Sequence, residues 1–182
     1  MMSGNGTMGK ILYPAYFSLG NNRYRERFGL DFEDFREGQV FKHRPGYTIT
    51  QQDNIADCMD TLNQAMLHYD AKYASETEFS SPLMVTTALI QRLIGMTWKT
   101  FNRRKAITRW DHITMKAPIF AGDTLYSESR IVGSPASSED EQCGKLTIVT
   151  CGINQKDIVF CEMQYQALIY RKEFLPFSEA NY

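Results

Sequence analysis

The pattern of apolar and polar positions divides the chain into a first half with helical spacing and a second half with β alternation. Apolar residues recur every three or four positions over residues 51–62, which predicts an amphipathic helix. Thr50 precedes this run as its N-cap, in a pattern that resembles a capping box. Before it, residues 39–50 are predicted to be extended, with an interruption at the turn signal Pro45-Gly46.

A longer apolar stripe predicts the central element of the fold. Residues 82–99 present a face of apolar or weakly polar side chains that is wide enough to be covered by a sheet. Pro82 fits the first turn of such a helix. A short helix, capped by Asp70 and ending near Thr77, is predicted before it.

Four strands are predicted after Arg104, each followed by a turn. They cover residues 107–116, 124–132, 145–153 and 158–170. Helices followed by an antiparallel run of strands predict an α+β domain with the long helix packed on one face of the sheet. This order fits a hot-dog fold, in which an antiparallel sheet wraps around a long central helix.

A length of 182 residues is sufficient for one domain with its own core. We predict an irregular N-terminal arm at residues 1–35, a folded domain at 36–172 and a C-terminal tail at 173–182. The arm contains aromatic residues that are available to pack on an apolar surface, among them Tyr13, Tyr16, Phe17, Phe28, Phe32 and Phe35. Together with the edges of the sheet, they predict a homodimer or a larger homo-oligomer.

Composition narrows the range of partners. The formal net charge is −1 and the pI is about 6.3, so the chain lacks the excess positive charge with which proteins bind nucleic acid or anionic membranes. We therefore expect a small-molecule partner, no nucleic acid and no membrane. The four cysteines have neither a C-x-x-C pair nor zinc-ligand spacing, which predicts reduced thiols and no metal site. No secretory signal or membrane-length apolar run is evident, so a cytoplasmic location is expected.

Three histidines are the candidates for a proton carrier near neutral pH: His43, His68 and His112. Structural or surface roles are favoured for His112, which lies on a predicted strand, and for His43, which precedes a turn. His68 lies in a connection between two predicted helices, where folds often present reactive groups. Asn63 stands five residues earlier. From these residues alone, a helix C-cap at Asn63 and a packing role for His68 are the favoured interpretation.

The surroundings of this pair resemble the MaoC-like hydratase/dehydratase family. The run Asn63-Gln-Ala-Met-Leu-His68 matches the family's D-x-N-P-L-H pattern at the histidine and has Asn in place of its Asp. The resemblance covers residues 30–171. It includes the segments 32–38, 43–50, 81–83 and 118–125, the last with the Gly-Asp-Thr-Leu sequence frequent in the family. The most similar branch contains itaconyl-CoA and mesaconyl-CoA hydratases, in which Asn commonly replaces the Asp.

The resemblance implies a hydro-lyase that adds water to an unsaturated dicarboxylic acyl-CoA, with itaconyl-CoA to citramalyl-CoA as the first expectation. Mesaconyl-CoA or another enoyl-CoA is the alternative. No cofactor is implied apart from the coenzyme A of the substrate. His68 takes the role of proton carrier and Asn63 that of orienting the water. Thr86 matches the family's oxyanion-donor position, at the N-terminus of the long helix.

Basic residues are concentrated in and after the long helix. Six are present between Phe79 and Trp110, and no acidic one. They suit a substrate carboxylate or the phosphates of coenzyme A, and ordinary solvated charge explains them equally well. We name Arg92, Arg103 and Arg104 as candidates for substrate binding, with Arg92 first because it falls inside the helix.

Two further functions stay open. Hot-dog thioesterases typically activate water with an Asp or Glu on the central helix, and none is present between Phe79 and Trp110. A non-catalytic acyl-CoA-binding module, which kept the fold and lost the Asp, is compatible with Asn63. Release of free thiol separates hydrolysis from hydration, and the effect of removing His68 separates an enzyme from a binding module.

Overall fold

A computed structural model describes residues 13–133 and 135–174. Its strands are β1 (Tyr16–Ser18), β2 (Tyr24–Glu26), β3 (Val40–Thr48), β4 (Arg104–Met115), β5 (Thr124–Ile131), β6 (Ala136–Ser137), β7 (Cys143–Asn154) and β8 (Val159–Tyr170). Its helices are α1 (Gln51–Thr61), α2 (Ala71–Ser75), α3 (Thr86–Met96) and α4 (Trp98–Phe101). Single 3-10 turns are formed by Phe32–Asp34 and Met66–His68.

The main sheet is antiparallel, with strand order β3-β5-β7-β8-β4 and the short β6 paired with β7. Alternate residues of β5, β7 and β8 are buried, because one face of the sheet is covered. The helix α3 lies on that face, where Leu89 and Leu93 join the buried side chains of Leu125, Phe160 and Met163. The four predicted strands and the α+β arrangement are therefore confirmed.

The helix α3 is shorter than predicted and begins at Thr86 rather than at Pro82. Residues before it are extended, because their backbone groups pair with other segments. Met84 N–H donates to the carbonyl of Ile119 at 3.0 Å, and Leu83 forms a β-bridge with Phe120. Apolar spacing continues through this stretch, so periodicity alone placed the helix start one turn too early.

The predicted start of α1 is confirmed at atomic detail. The Asp53 carboxylate accepts from Thr50 N–H at 2.7 Å, and the Thr50 hydroxyl accepts from Asp53 N–H at 3.2 Å. Leu62, not Asn63, adopts the left-handed conformation after the helix, with φ 57°. Asp70 caps α2 as predicted, by accepting from Tyr73 N–H.

The N-terminal region differs from the predicted irregular arm. Its described part contains the β1–β2 hairpin, and Phe32 and Phe35 pack in the core of their own chain rather than remaining free for a partner. Leu30 N–H donates to the carbonyl of Thr100, which ties this region to the end of α4. Residues 1–12 and 175–182 lie outside the described residues, and the predicted domain boundaries stay a prediction.

The predicted turn at Pro45 does not divide β3. The strand continues through a cis peptide bond between Arg44 and Pro45, and its pairing with β5 shifts register between His43 and Tyr47. Among the helices that the structure describes, none is long and apolar enough to cross a membrane.

Candidate active site

The imidazole of His68 is held by one main-chain oxygen. Its Nδ1 lies 2.7 Å from the carbonyl oxygen of Leu83. Because a carbonyl oxygen only accepts hydrogen bonds, Nδ1 must carry the proton, and the lone pair of the neutral ring is on Nε2. The ring is half-buried, and Nε2 makes no hydrogen bond within the described part of the chain. The geometry therefore presents His68 as a base through Nε2.

The backbone of the same residue is fixed by α1. Gln51 Nε2 and Asn54 Nδ2 each donate to the carbonyl oxygen of His68, both at 2.7 Å. Asn54 Nδ2 also donates to the carbonyl of Leu83 at 2.9 Å, and Asn54 Oδ1 accepts from Val85 N–H at 2.9 Å. The position of His68 thus depends on a helix that precedes it in sequence by several residues.

The N-terminus of α3 supplies unpaired donors next to this histidine. Val85, the N-cap residue, provides no side-chain cap, and its own N–H is taken by Asn54. The N–H groups of Thr86, Thr87 and Ala88 have no acceptor among residues 13–133 and 135–174. These groups stand at the positive end of the helix dipole, so they can stabilise a developing oxyanion.

A cavity of about 320 Å³ adjoins these donors. Its wall is mainly apolar and is made by residues from 79 to 89 and from 115 to 119, including Phe79, Met84, Leu89 and Met115. Leu83, whose carbonyl holds His68, and Thr86 both line it. The structure therefore places Thr86 in the wall of a cavity suited to an acyl chain. His68 is not among the lining residues and is connected to the wall through its bond to the Leu83 carbonyl.

Known proteins are similar to this chain in sequence and in fold. The sequence matches the mesaconyl-CoA hydratase family over residues 17–176. The chain belongs to that family. The predicted MaoC-like family is thereby confirmed. A mesaconyl-CoA hydratase of Haloarcula marismortui is 28% identical over 125 residues, which make up 68% of this chain and 35% of that protein. The chain thus spans about a third of the length of this relative.

Solved structures confirm the predicted hot-dog fold. A MaoC domain protein from Chloroflexus aurantiacus superposes with a TM-score of 0.75 at 23% identity, over 79% of this chain and 41% of that one. A protein of Mycobacterium tuberculosis with a double hot-dog fold superposes with a TM-score of 0.71 at 24% identity, over 81% of this chain and 46% of that one. At these identities, the likeness concerns the fold.

In this family member, Asn63 stands at the position where the MaoC-like motif has Asp. Its side-chain oxygen accepts from Ala65 N–H at 3.1 Å, so it stabilises the turn that leads to His68. The residue is half-buried, and its Nδ2 makes no hydrogen bond with any described residue. Orientation of the reacting water by Asn63 stays a prediction.

The three arginines named from the sequence do not line the cavity. Arg92 donates to the Asp57 carboxylate at 2.7 Å and lies 3.7 Å from that of Asp53, and so joins α3 to α1. Arg103 is paired with Asp31. Burial, followed by the nearby charge of Arg27, lowers the pKa of Arg103. Arg104 is half-buried, and its Nη1 has no hydrogen-bond partner among the described residues. Substrate binding by these residues stays a prediction.

The other two histidines are held by structural contacts. His112 is on the surface, 3.7 Å from the Glu162 carboxylate. His43 is buried and bonds through Nε2 to the hydroxyl of Ser129 at 2.9 Å, across the sheet rather than within the turn that the sequence indicated. Burial, with a smaller effect of the Arg44 charge, lowers the pKa of His43 to about 4.

Two residues of the site were missed from the sequence. Asn54 lies four positions before Cys58, and the two are the buried residues of α1. A polar residue on the apolar face of an amphipathic helix was the signal that could have identified it. Lys116 is the charged residue of the cavity wall, and its ammonium group is paired with Glu162 at 2.9 Å. The sequence offered no comparable sign for Lys116.

Proposed function

We propose that this chain adds water to the carbon–carbon double bond of a short unsaturated dicarboxylic acyl-CoA. The observation that carries the proposal is the hydrogen bond from His68 Nδ1 to the Leu83 carbonyl. It leaves Nε2 as the basic atom of the neutral ring, and Leu83 stands three residues before α3, whose first N–H groups have no acceptor among the described residues. Family membership supports the same chemistry.

The proposed reaction uses one imidazole for both proton transfers. His68 Nε2 takes a proton from water while the water oxygen bonds to the carbon β to the thioester. The electrons of the double bond move onto the thioester oxygen as an enolate, which the N–H groups at the start of α3 stabilise. The protonated ring then returns its proton to the α-carbon, and the thioester carbonyl is restored. Thr86 takes part through its backbone N–H, so its side chain does not determine this role.

Mesaconyl-CoA and itaconyl-CoA are the two substrates we propose. The name of the archaeal relative supports mesaconyl-CoA. Itaconyl-CoA has its double bond one carbon beyond conjugation with the thioester, so a proton must move before or during the addition of water. A histidine that both accepts and returns protons can perform that transfer as well.

Either substrate carries one free carboxylate besides its thioester, and this carboxylate requires a cation or several hydrogen-bond donors. Arg92, Arg103 and Arg104 stay candidates for this contact or for the phosphates of coenzyme A. Lys116 joins them because it belongs to the cavity wall. Each of Arg92, Arg103 and Lys116 already has an acidic partner, so substrate binding would have to compete with or extend an existing ion pair.

A panel of thioesters tests the function directly. Purified protein is incubated with mesaconyl-, itaconyl- and crotonyl-CoA, and mass spectrometry follows the addition of one water. A thiol reagent follows release of free coenzyme A in the same samples. We expect hydrated acyl-CoA without thiol release. Thiol release would establish a thioesterase instead, and binding without any product would establish a non-catalytic acyl-CoA module.

We also propose that the protein is a cytoplasmic homo-oligomer. The edge strand β4 exposes Trp110 and Ile113, and Trp98 of α4 is exposed as well, so the sheet edge offers apolar surface for a second copy. The four cysteines are free of disulfides, which suits a reducing compartment.

A further inference from the structure

The side chain of Asn54 lies at the junction of three parts of the candidate site, yet it does not line the cavity. It is fully buried on α1. Its Nδ2 donates to the carbonyls of His68 and Leu83, at 2.7 and 2.9 Å, and its Oδ1 accepts from Val85 N–H at 2.9 Å. One amide therefore connects the backbone of the histidine, the oxygen that holds its ring, and the N-cap of α3.

Packing alone does not require an amide at this position. The neighbouring buried positions form an apolar cluster of Cys58, Val85 and Ala88. Burial of an amide among such residues is costly unless its polar atoms find partners. Here both the amide nitrogen and the amide oxygen have main-chain partners, so the geometry around Asn54 is specified by three directional bonds.

The Leu83 carbonyl links Asn54 to the position of the proton on the His68 ring. It accepts from His68 Nδ1 and from Asn54 Nδ2 at the same time. A carbonyl fixed in this orientation selects the tautomer with the proton on Nδ1, and that tautomer leaves Nε2 as the base. The bond to Val85 N–H fixes the first turn of α3, where the donors for the thioester oxygen begin.

We infer that Asn54 is a positioning residue that holds the base His68 and the oxyanion donors of α3 in a fixed mutual geometry. The inference rests on the proposed hydration reaction. Asn54 acts on the bound substrate only through these groups, so its removal changes the rate of the chemical step more than the binding of the thioester.

The first test compares the steady-state kinetics of Asn54→Ala with those of the wild type, on whichever thioester the wild type hydrates. We expect kcat to fall about 100-fold, because small displacements of catalytic groups have effects of that order. KM should change by less than about threefold. Asn54→Ser, which keeps one hydroxyl for a single hydrogen bond, should lose less activity and provides a second variant if the alanine form folds poorly.

The matched control is Asn154→Ala. Asn154 is also a buried asparagine whose side chain accepts from backbone N–H groups, those of Lys156 and Ile158, but it is the last residue of β7, before the turn to β8. Its replacement removes similar bonds away from the cavity. We expect reduced thermal stability and a kcat per folded molecule within about threefold of the wild type.

The second test reads the tautomer of His68 without any assay of activity. In 15N-labelled wild-type protein, the ring nitrogen shifts should show the proton on Nδ1. In Asn54→Ala they should move toward the average of the two tautomers, and in Asn154→Ala they should stay unchanged. A folding defect alone would not move this signal in the folded fraction.

The outcomes separate the inference from the proposed function. If the wild type hydrates no enoyl-CoA, the proposed function fails and this inference fails with it. If the wild type is active and His68→Ala is inactive, but Asn54→Ala retains the kcat and the tautomer of the wild type, only the inference on Asn54 is overturned.

Discussion

Residue by residue, the proposed chemistry depends most on His68, whose two ring nitrogens have different surroundings. Nδ1 is bonded to the Leu83 carbonyl, and Nε2 has no hydrogen-bond partner among the described residues. We expect His68→Ala to lower kcat/KM by about a hundredfold to ten-thousandfold, the usual contribution of a general acid–base residue. His68→Gln, which keeps a donor toward Leu83 but no basic nitrogen, should lose as much. Thioester kinetics measures both, and a rate within about threefold of the wild type would remove the mechanism.

Protonation of His43 makes the stability of the fold depend on pH. Its pKa is about 4 in the folded protein, against 6.5 as the ordinary value. Between these values the unfolded chain binds the proton and the folded one does not, so stability is lost as pH falls from about 6.5 toward 4. The loss amounts to about 3 kcal/mol at pH 4.

Urea unfolding at several pH values measures this loss. His43→Gln has no ring to protonate, so its stability should change less between pH 6.5 and 4 than that of the wild type. Equal slopes in the wild type and in His43→Gln would contradict the assignment to His43.

Single residues also show what the sequence could and could not indicate. His68 was identified because the motif around it resembles a known family. Asn54 and Lys116 were not, since their importance comes from contacts with segments far away in sequence, at Leu83 and at Glu162. Arg92 was placed correctly inside the helix, but its acidic partners on α1 could not be deduced without the helix packing.

At the scale of elements, α1 and α3 are joined by an ion pair that also tests the substrate role of Arg92. The Arg92 guanidinium and the Asp57 carboxylate are both mostly buried. We expect Arg92→Met to lower the free energy of unfolding by about 1–3 kcal/mol. If the ion pair is purely structural, the ratio of kcat/KM for mesaconyl-CoA to that for crotonyl-CoA, which lacks the second carboxylate, stays constant. A selective loss for mesaconyl-CoA would establish Arg92 as the carboxylate-binding residue.

The boundaries of the elements were predictable where local chemistry determines them. The capping box at Thr50 and the cap at Asp70 are local patterns, and both helices begin as expected. The start of α3 was wrong because it depends on pairing of Met84 with Ile119, more than thirty residues later. The β1–β2 hairpin was missed for a different reason, since its three-residue strands are too short to show alternation.

For the whole molecule, the order of helices and strands was sufficient to predict the α+β class, because the apolar face of an antiparallel sheet must be covered and the preceding helices are available to cover it. The proposed oligomer would form through an edge of the sheet. We expect Ile113→Lys on the edge strand β4 to shift sedimentation toward the monomer, since a charge at an apolar contact is costly to bury. Val40→Lys is the matched control, because Val40 is similarly exposed on the opposite edge strand β3. A monomeric wild type would contradict this prediction.

The methionines of the cavity wall have a consequence for selectivity. Met84 and Met115 are unbranched and adjust their side-chain shape more easily than Leu or Ile. In the proposed reaction, such an adaptable wall would discriminate poorly between isomeric five-carbon acyl groups. The choice of isomer would then depend on how the double bond lies against the imidazole of His68. Competition between mesaconyl- and itaconyl-CoA in a single incubation would measure the preference of the protein for one isomer.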